Sequence, residues 1–263
     1  PLTEGESTEN RSFFDLAFVV GEPSDMPTYV TLSILNSILV NMPGAPLKQA
    51  LLDAGVAQDI FSSMQSSLRQ NVFTISAAGA DENKHEEFVK VIYATLNDLV
   101  HSGLDKELLE SALNIMEFKL READFGNYPK GLIYGIRVMD TWLYDGSPTA
   151  ALRYDEVLAQ MRAHIQTRYF ESFIENYLLD NTHRALVVLT PKIGLEAEKN
   201  AALAAHLAEV KAAMSEAELA QIRLEMQELQ EMQTYIDPPE VLEKIPLLAI
   251  EDIEHQVRRN DYE

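Results

Sequence analysis

The sequence has no cysteine in its 263 residues. Disulfides, thiolate nucleophiles and cysteine-based zinc or iron–sulfur sites are therefore excluded. The absence suits a reducing compartment, so we expect a cytoplasmic location, or an organellar one if the source is eukaryotic. The chain also lacks an uninterrupted run of 18 apolar residues, and we expect neither a membrane-spanning helix nor a membrane partner.

Positive charge is scarce as well, since 21 Lys and Arg residues stand against 42 Asp and Glu residues, for a net charge of −21. Such a chain repels phosphate backbones, so we expect no nucleic-acid partner. Apolar residues make up 46% of the sequence, which is enough for a globular domain with a substantial core. Residues 1–11 have no apolar signal core and no Arg-rich transit pattern, and we interpret them as a polar lead-in within a longer protein.

Local patterns predict an α+β fold. Short apolar or alternating stretches at 11–21, 57–80 and 183–191 predict strands, and amphipathic stretches between them predict helices. The order of these elements favours an antiparallel sheet with helices packed on it. We expect Asp25 to cap the first helix and Asp81 or Glu82 to cap a later one that ends at Gly103.

The composition changes after about residue 194, where apolar residues recur at helical spacing in two successive stretches. Ser215 with Glu218 three positions later forms a capping-box pattern between them. This predicts a helical hairpin broken at Ser215, with one long helix as the weaker alternative. We therefore predict an α+β domain over 12–193, a hairpin linker over 194–236 and a tail over 237–263 leading to a missing C-terminal half.

His85 in the stretch KHEEF is the first candidate for a metal ligand. A zinc helix of the form H-E-x-x-H requires a second His four positions on, and the inverted H-x-x-E-H form requires Glu and His at the third and fourth positions. Here those positions hold Phe88 and Val89. We expect Glu86 and Glu87 to form an acidic first helical turn instead, favoured by the helix dipole.

Other catalytic patterns are also missing. The sequence contains no G-x-G-x-x-G, Walker or G-x-S-x-G motif. We expect His183 to hydrogen-bond where a helix meets a strand rather than to bind a metal. Tyr134, Arg137 and Tyr144 flank Trp142 in an apolar stretch; core packing with the polar ends reaching solvent is the expected role, and a binding role stays open. The residues alone predict no catalytic site, no metal ligand and no cofactor-binding residue.

Four stretches carry a family resemblance: PGAPLKQALLDAGVAQDI, SGLDKELLESALNIMEFKLRE, YFESFIENYLLDNTHRALVVLTP and TYIDPPEVLEKIPLLAIEDI. Together they resemble the pitrilysin/insulinase zinc metallopeptidases, in particular the presequence-protease branch that degrades oligopeptides. The resemblance extends over about residues 12–255. It implies four similar α+β domains in two halves, joined by a helical hairpin and closing as a clamshell around unfolded peptides.

The same resemblance implies that zinc is bound in the first domain, by an inverted H-x-x-E-H motif and a distal Glu. An Arg and a Tyr of the last domain help hold the substrate. This chain matches the second domain and the linker, so the family's catalytic residues have no counterpart in it. The resemblance implies as partners the catalytic domain and C-terminal half of the same polypeptide, and a peptide substrate.

Two hypotheses follow from this resemblance. In the first, the chain is a noncatalytic part of a zinc oligopeptidase, with Ser215, Pro238 and Pro239 setting a hinge and Tyr134, Arg137 and Tyr144 as candidates to line the peptide chamber. The acidic charge then favours basic peptides. In the second, the chain belongs to a noncatalytic scaffold of the same fold; the hairpin argues against this, because scaffold relatives lack it. A stand-alone peptide-binding module has little support.

Overall fold

The computed structural model describes residues 2–3, 5–247 and 249–252. The chain divides into two compact units, residues 1–196 and 197–263. The first unit contains a β-sheet with helices packed on it. The described part of the second unit contains helices. This confirms the predicted α+β class followed by C-terminal helices.

The described part of the first unit contains a four-stranded antiparallel sheet with the strand order β2-β3-β1-β4. The strands are β1 (Ser12–Val19), β2 (Ala57–Gln65), β3 (Val72–Ala80) and β4 (Arg184–Leu189). In β1 every second side chain, at Phe14, Leu16 and Phe18, is buried, as the period of two of a strand requires. β4 lies at one edge, where Val187 is 49% exposed and Leu189 62%.

Seven α-helices accompany the sheet in the part of this unit that the structure describes. They are α1 (Met26–Asn36), α2 (Pro46–Asp53), α3 (His85–Ser102), α4 (Lys106–Glu122), α5 (Lys130–Trp142), α6 (Asp155–His164) and α7 (Tyr169–Ile174). Wider π-helical turns extend α1 over Ser37–Asn41 and α7 over Glu175–Leu179, and 3₁₀ turns occupy Glu82–Lys84 and Ala150–Leu152. Residues of α1, α3, α4, α6 and α7 join those of the sheet in one hydrophobic core.

The predicted helix ends are partly confirmed. Asp25 caps α1, because its Oδ1 accepts a hydrogen bond from the Thr28 backbone N–H at 3.2 Å. Gly103 ends α3 with a positive φ of 88°. The predicted cap at Asp81 or Glu82 is wrong: a 3₁₀ turn comes first, and the Asp81 carboxylate accepts from the backbone N–H of Asn10 at 2.8 Å instead.

The segment Met26–Asp53 bears on the expectation that no helix spans a membrane. It is long and apolar enough, by length and composition, to cross a membrane. More than half of its most apolar stretch is buried within the protein, and Leu32, Leu35 and Leu39 are fully buried in the core. The turn at residues 42–45 also interrupts the helix. Packing in the domain core therefore accounts for this apolar character.

The C-terminal helices are α8 (Leu195–Ala213), α9 (Glu216–Thr234) and α10 (Pro239–Leu242), followed by a 3₁₀ turn at Ile250–Asp252. The chain breaks between α8 and α9, so the prediction of two helices is confirmed and the single long helix is wrong. No residue of α8 or α9 is buried. Apolar side chains of both helices, such as Leu207 and Met226, are 55% and 60% exposed.

Candidate functional site

His85 is the first residue of α3 and has the surroundings of a structural side chain. Its Nδ1 donates to the backbone carbonyl oxygen of Glu82 at 2.7 Å. Its ring also meets that of Phe14 edge-on, with the centroids 6.3 Å apart. Glu86 and Glu87 lie in the first turn of α3, where the helix dipole favours acids. His85 therefore helps to fix the start of α3.

Zinc does not fit the described part of the chain. Within it, no group of three or more His, Asp or Glu side chains converges in a way that would hold a metal. His101 hydrogen-bonds the carbonyl of Asn97 at 2.7 Å, and His164 stacks on Tyr169 at 4.0 Å. The peptide groups of His183 bond to Val19 and to the Asn181 side chain, while its imidazole is exposed. His255 lies outside the described residues.

Tyr134 and Arg137 lie on α5, and Tyr144 follows its end. The expectation of core packing for this helix is wrong. Thr141 is its only buried residue, whereas Trp142 is 60% exposed. Tyr134 and Arg137 instead both contact Phe125. The Tyr134 and Phe125 rings meet edge-on with their centroids 5.7 Å apart, and the guanidinium carbon of Arg137 lies 5.1 Å from the Phe125 ring centroid.

Tyr144 is held by a different contact. Its hydroxyl donates to the backbone carbonyl of Ser67 at 3.0 Å, in the loop between β2 and β3. The structure thus gives each of the three candidates a defined partner. Of the three, Arg137 alone lines a cavity described below.

A cavity of about 90 Å³ lies where α1, α4 and α5 meet, and we call it the recess. Its wall is mainly apolar and includes Met26, Tyr29, Val30, Met116, Leu120 and Tyr154. Arg137 and Asp140, one helical turn apart on α5, and Thr141 add polar groups. The recess brings together segments that are distant in the sequence, so it could not be located from local patterns.

Arg137 and Asp140 give the recess its charge. Both are partly exposed and so lie where the recess meets solvent. Burial raises the pKa of the Asp140 carboxyl above its ordinary range, and the positive charge of Arg137 partly offsets this rise. Neither side chain forms a hydrogen bond or ion pair with another described residue. The sequence analysis missed Asp140, although the opposite charges three positions apart in IRVMD were a usable signal.

The hinge candidates lie in the second unit. Ser215 caps α9: its Oγ accepts from the Glu218 N–H at 3.3 Å, and Glu218 accepts from the Ser215 N–H at 2.8 Å. The Glu218 carboxylate accepts from the Ser215 N–H and also from the Ser215 hydroxyl at 2.8 Å, and these two bonds, the backbone one first, lower the pKa of Glu218. Pro238 precedes α10 and Pro239 is its first residue, a position that suits proline because its ring fixes φ. The capping box is as predicted, while the hinge role stays a prediction.

Comparison with known families gives two matches. Residues 3–116 match the family described as the Peptidase M16 inactive domain. Residues 189–263 match a family described as associated with peptidases of the C subgroup of M16, and we call this part the M16-associated region. The second match begins at the last residue of β4 and covers the C-terminal helices.

Known relatives agree with these matches. Protein HypA of Clostridium perfringens is 40% identical over 258 residues, which are 98% of this chain and 26% of that protein. Presequence protease 1, chloroplastic/mitochondrial, of Arabidopsis thaliana is 31% identical over 237 residues, which are 88% of this chain and 22% of that protein. The chain therefore spans about a quarter of the length of these relatives.

Solved structures share the fold. The periplasmic protease PqqL from Escherichia coli superposes with a TM-score of 0.53 at 14% identity, over 73% of this chain and 20% of that one. A protease from Helicobacter pylori gives a TM-score of 0.54 at 16% identity, over 71% of this chain and 43% of that one. At this identity the likeness establishes the fold alone.

The antiparallel sheet with helices packed on it and the two family matches define an inactive domain of the peptidase type. The chain belongs to the M16 peptidase family. Within that family it comprises an inactive domain followed by the M16-associated region, with presequence proteases among its relatives.

Proposed function

We propose that this chain is the noncatalytic domain and interdomain linker of a zinc metalloendopeptidase that degrades unfolded oligopeptides in a closed chamber. The observation that carries the proposal is the order of the two family matches, an inactive M16 domain followed by the M16-associated region. Relatives named presequence proteases match both parts in the same order along nearly the whole chain.

The rest of the polypeptide supplies the chemistry. Its zinc is held outside this chain, by the inverted motif that the resemblance implies, and this chain alone is inactive. The partners are then the catalytic domain and C-terminal half of the same polypeptide. The net charge of −21 supports a preference for basic peptides, because an acidic chamber wall attracts them.

The test starts from the reading frame that encodes this chain. We expect H-x-x-E-H with a distal Glu upstream of the present sequence, and a full-length protein that cleaves an unfolded basic peptide until zinc is chelated. The 263-residue chain alone should not cleave the same peptide. A frame without the motif, or a full-length protein inactive after zinc is restored, would replace this proposal with the scaffold alternative.

A further inference from the structure

The apolar wall of the recess is not covered by other side chains of the domain. Met26 and Tyr29 come from α1, Met116 from α4 and Tyr154 from the residue before α6. Apolar surface left beside an opening favours an apolar ligand, because covering it removes the surface from water. The recess is thus suited to receive an apolar group from outside this chain.

Its size selects the kind of group. At about 90 Å³ it is smaller than the apolar cavity that holds benzene, which measures ~150 Å³. A group as large as an indole would therefore project from the opening and leave part of its apolar surface in water. A branched aliphatic side chain such as that of leucine or valine is the better match.

The polar groups of the recess indicate the kind of molecule to which this aliphatic side chain belongs. Asp140 has free acceptor oxygens and Arg137 has free guanidinium N–H donors, since neither bonds to another described residue. A peptide backbone presents the complementary pair, an N–H donor and a C=O acceptor, close to each side chain. A simple hydrocarbon would make no hydrogen bond to either charged group, whereas a peptide segment can bond to both.

We propose that the recess binds one aliphatic side chain of an extended peptide, while Asp140 accepts a hydrogen bond from a peptide N–H and Arg137 donates one to a peptide carbonyl. The site rests on the proposed function and deepens it, since it would hold a substrate segment away from the place of cleavage. Asp140 and Arg137 are positioning residues here, because they touch the peptide but no reacting bond.

The test uses the whole 263-residue chain with methionine methyl groups labelled with carbon-13. Met26 and Met116 line the recess and report on it directly by NMR. The probes are three acetylated and amidated tripeptides, Ala-Leu-Ala, Ala-Gly-Ala and Ala-Trp-Ala. We expect saturable shifts of both methyl signals with Ala-Leu-Ala and a dissociation constant about tenfold lower than for Ala-Gly-Ala. Ala-Trp-Ala should bind no better than Ala-Gly-Ala.

Three variants separate the parts of the proposal. Ala151→Leu adds bulk to the wall and should abolish the shifts. Asp140→Asn keeps the shape but loses the anionic acceptor, and should weaken Ala-Leu-Ala about threefold or more. The matched control is Asp98→Asn on the exposed face of α3, which should leave binding unchanged. A circular dichroism spectrum of each variant checks that it folds.

Equal binding of Ala-Leu-Ala and Ala-Gly-Ala, or unchanged binding after Ala151→Leu, would overturn the assignment. So would the absence of methyl shifts at millimolar peptide. These results concern binding by this chain and leave cleavage by the full-length protein untouched. An inactive full-length protein would reject the proposed function while leaving the peptide site standing.

Discussion

Two tyrosines of the first unit differ in what their hydroxyl groups meet. The hydroxyl of Tyr93 is buried without a hydrogen-bond partner among the described residues. Burial raises its pKa, although Arg184, whose guanidinium carbon lies 5.1 Å from the ring centroid, works in the opposite direction. The hydroxyl of Tyr169 lies 3.2 Å from Oγ1 of Thr31, which already donates to the Pro27 carbonyl, so Tyr169 is the donor.

Removing each hydroxyl should therefore have opposite effects. Tyr93→Phe keeps the ring and removes an unpaired polar atom, and we expect the free energy of unfolding to rise by about 1 kcal/mol. Tyr169→Phe breaks a partly buried hydrogen bond and should lower it by about 1 kcal/mol. Urea titrations of both variants measure the two changes. A loss of stability in Tyr93→Phe would mean that its hydroxyl has a partner after all.

Residues whose role depends on near neighbours were predictable from the sequence. Asp25, Gly103 and Ser215 act within a few positions of themselves, and the structure confirms all three. Asp81 failed as a cap because its partner is Asn10, which lies far away in the sequence. A side chain with a choice between a local and a distant partner cannot be assigned from local spacing.

Among the elements, α4 and α6 are joined by a network of charges. Glu117 on α4 accepts from Nε of Arg121 at 2.8 Å and from Nη2 of Arg162 on α6 at 2.7 Å. Arg121 also reaches Asp155 at 3.0 Å. The hydrogen bond from Arg121 is the main cause of a lowered pKa of Glu117, and the hydrogen bond from Arg162 lowers it further. The network couples the two helices at the surface.

Glu117→Gln should lower the melting temperature at pH 7, because the network loses its central anion. A carboxyl with a lowered folded-state pKa stabilises the protein above its unfolded value of about 4.3, and this stabilisation is lost as the pH falls through the folded value. The difference between wild type and variant should therefore shrink below about pH 4. Thermal unfolding from acidic to neutral pH measures it.

The control for this series is Glu228→Gln on α9, where the carboxylate has no ion pair or hydrogen bond within the described chain. It should leave the melting temperature nearly unchanged over the same pH range. A difference for Glu117→Gln that stays constant with pH would point to lost packing rather than lost charge.

The start of α9 depends on Ser215. Its hydroxyl accepts from the first turn of a helix that buries no residue, so local contacts decide whether that turn forms. We expect Ser215→Ala to reduce the helical circular dichroism signal, and Ser215→Asp to preserve it because aspartate also caps. An unchanged signal in Ser215→Ala would show that the helix starts without its cap.

Elements with strong periodicity, such as α3 and α4, were predictable because one face is buried in the core. The two π-helical turns and the exposure of α5 were not. An amphipathic helix has the same sequence pattern whether its apolar face is buried in the core or remains exposed, as most of α5 does. Pattern alone therefore predicts the helix but not what covers it.

At the scale of the whole protein, the proposed hinge is the feature to test. Pro238 and Pro239 fix the backbone between α9 and α10. A flexible insertion of about six Gly and Ser residues after Asp237 in the full-length protein should change peptide turnover without lowering the melting temperature, because stiffness at this point is lost while the domains stay intact.

The matched control places the same insertion after Gln166, in the exposed turn between α6 and α7 and away from the recess. Turnover should be close to wild type there. Equal turnover for both insertions and the wild type would remove the hinge role from Ser215, Pro238 and Pro239.

The recess belongs to this scale too, because its residues come from separate parts of the first unit. Each contributing stretch looks like ordinary amphipathic helix or loop in the sequence, and only the folded arrangement places Met26 beside Met116 and Asp140. A resemblance to a family indicated the fold and the missing catalytic centre. It gave no indication of this cavity.

The order of strands in the sheet has a consequence for how the protein is made. β1 emerges from the ribosome before the other three strands, yet it lies between β3 and β4. Its backbone N–H and C=O groups find all their partners only when both neighbours are present, and β4 is completed only at Leu189. A nascent chain that stops before residue 184 therefore has one side of β1 unpaired and open to other chains. Synthesis of the first unit has to be nearly finished before its sheet can close.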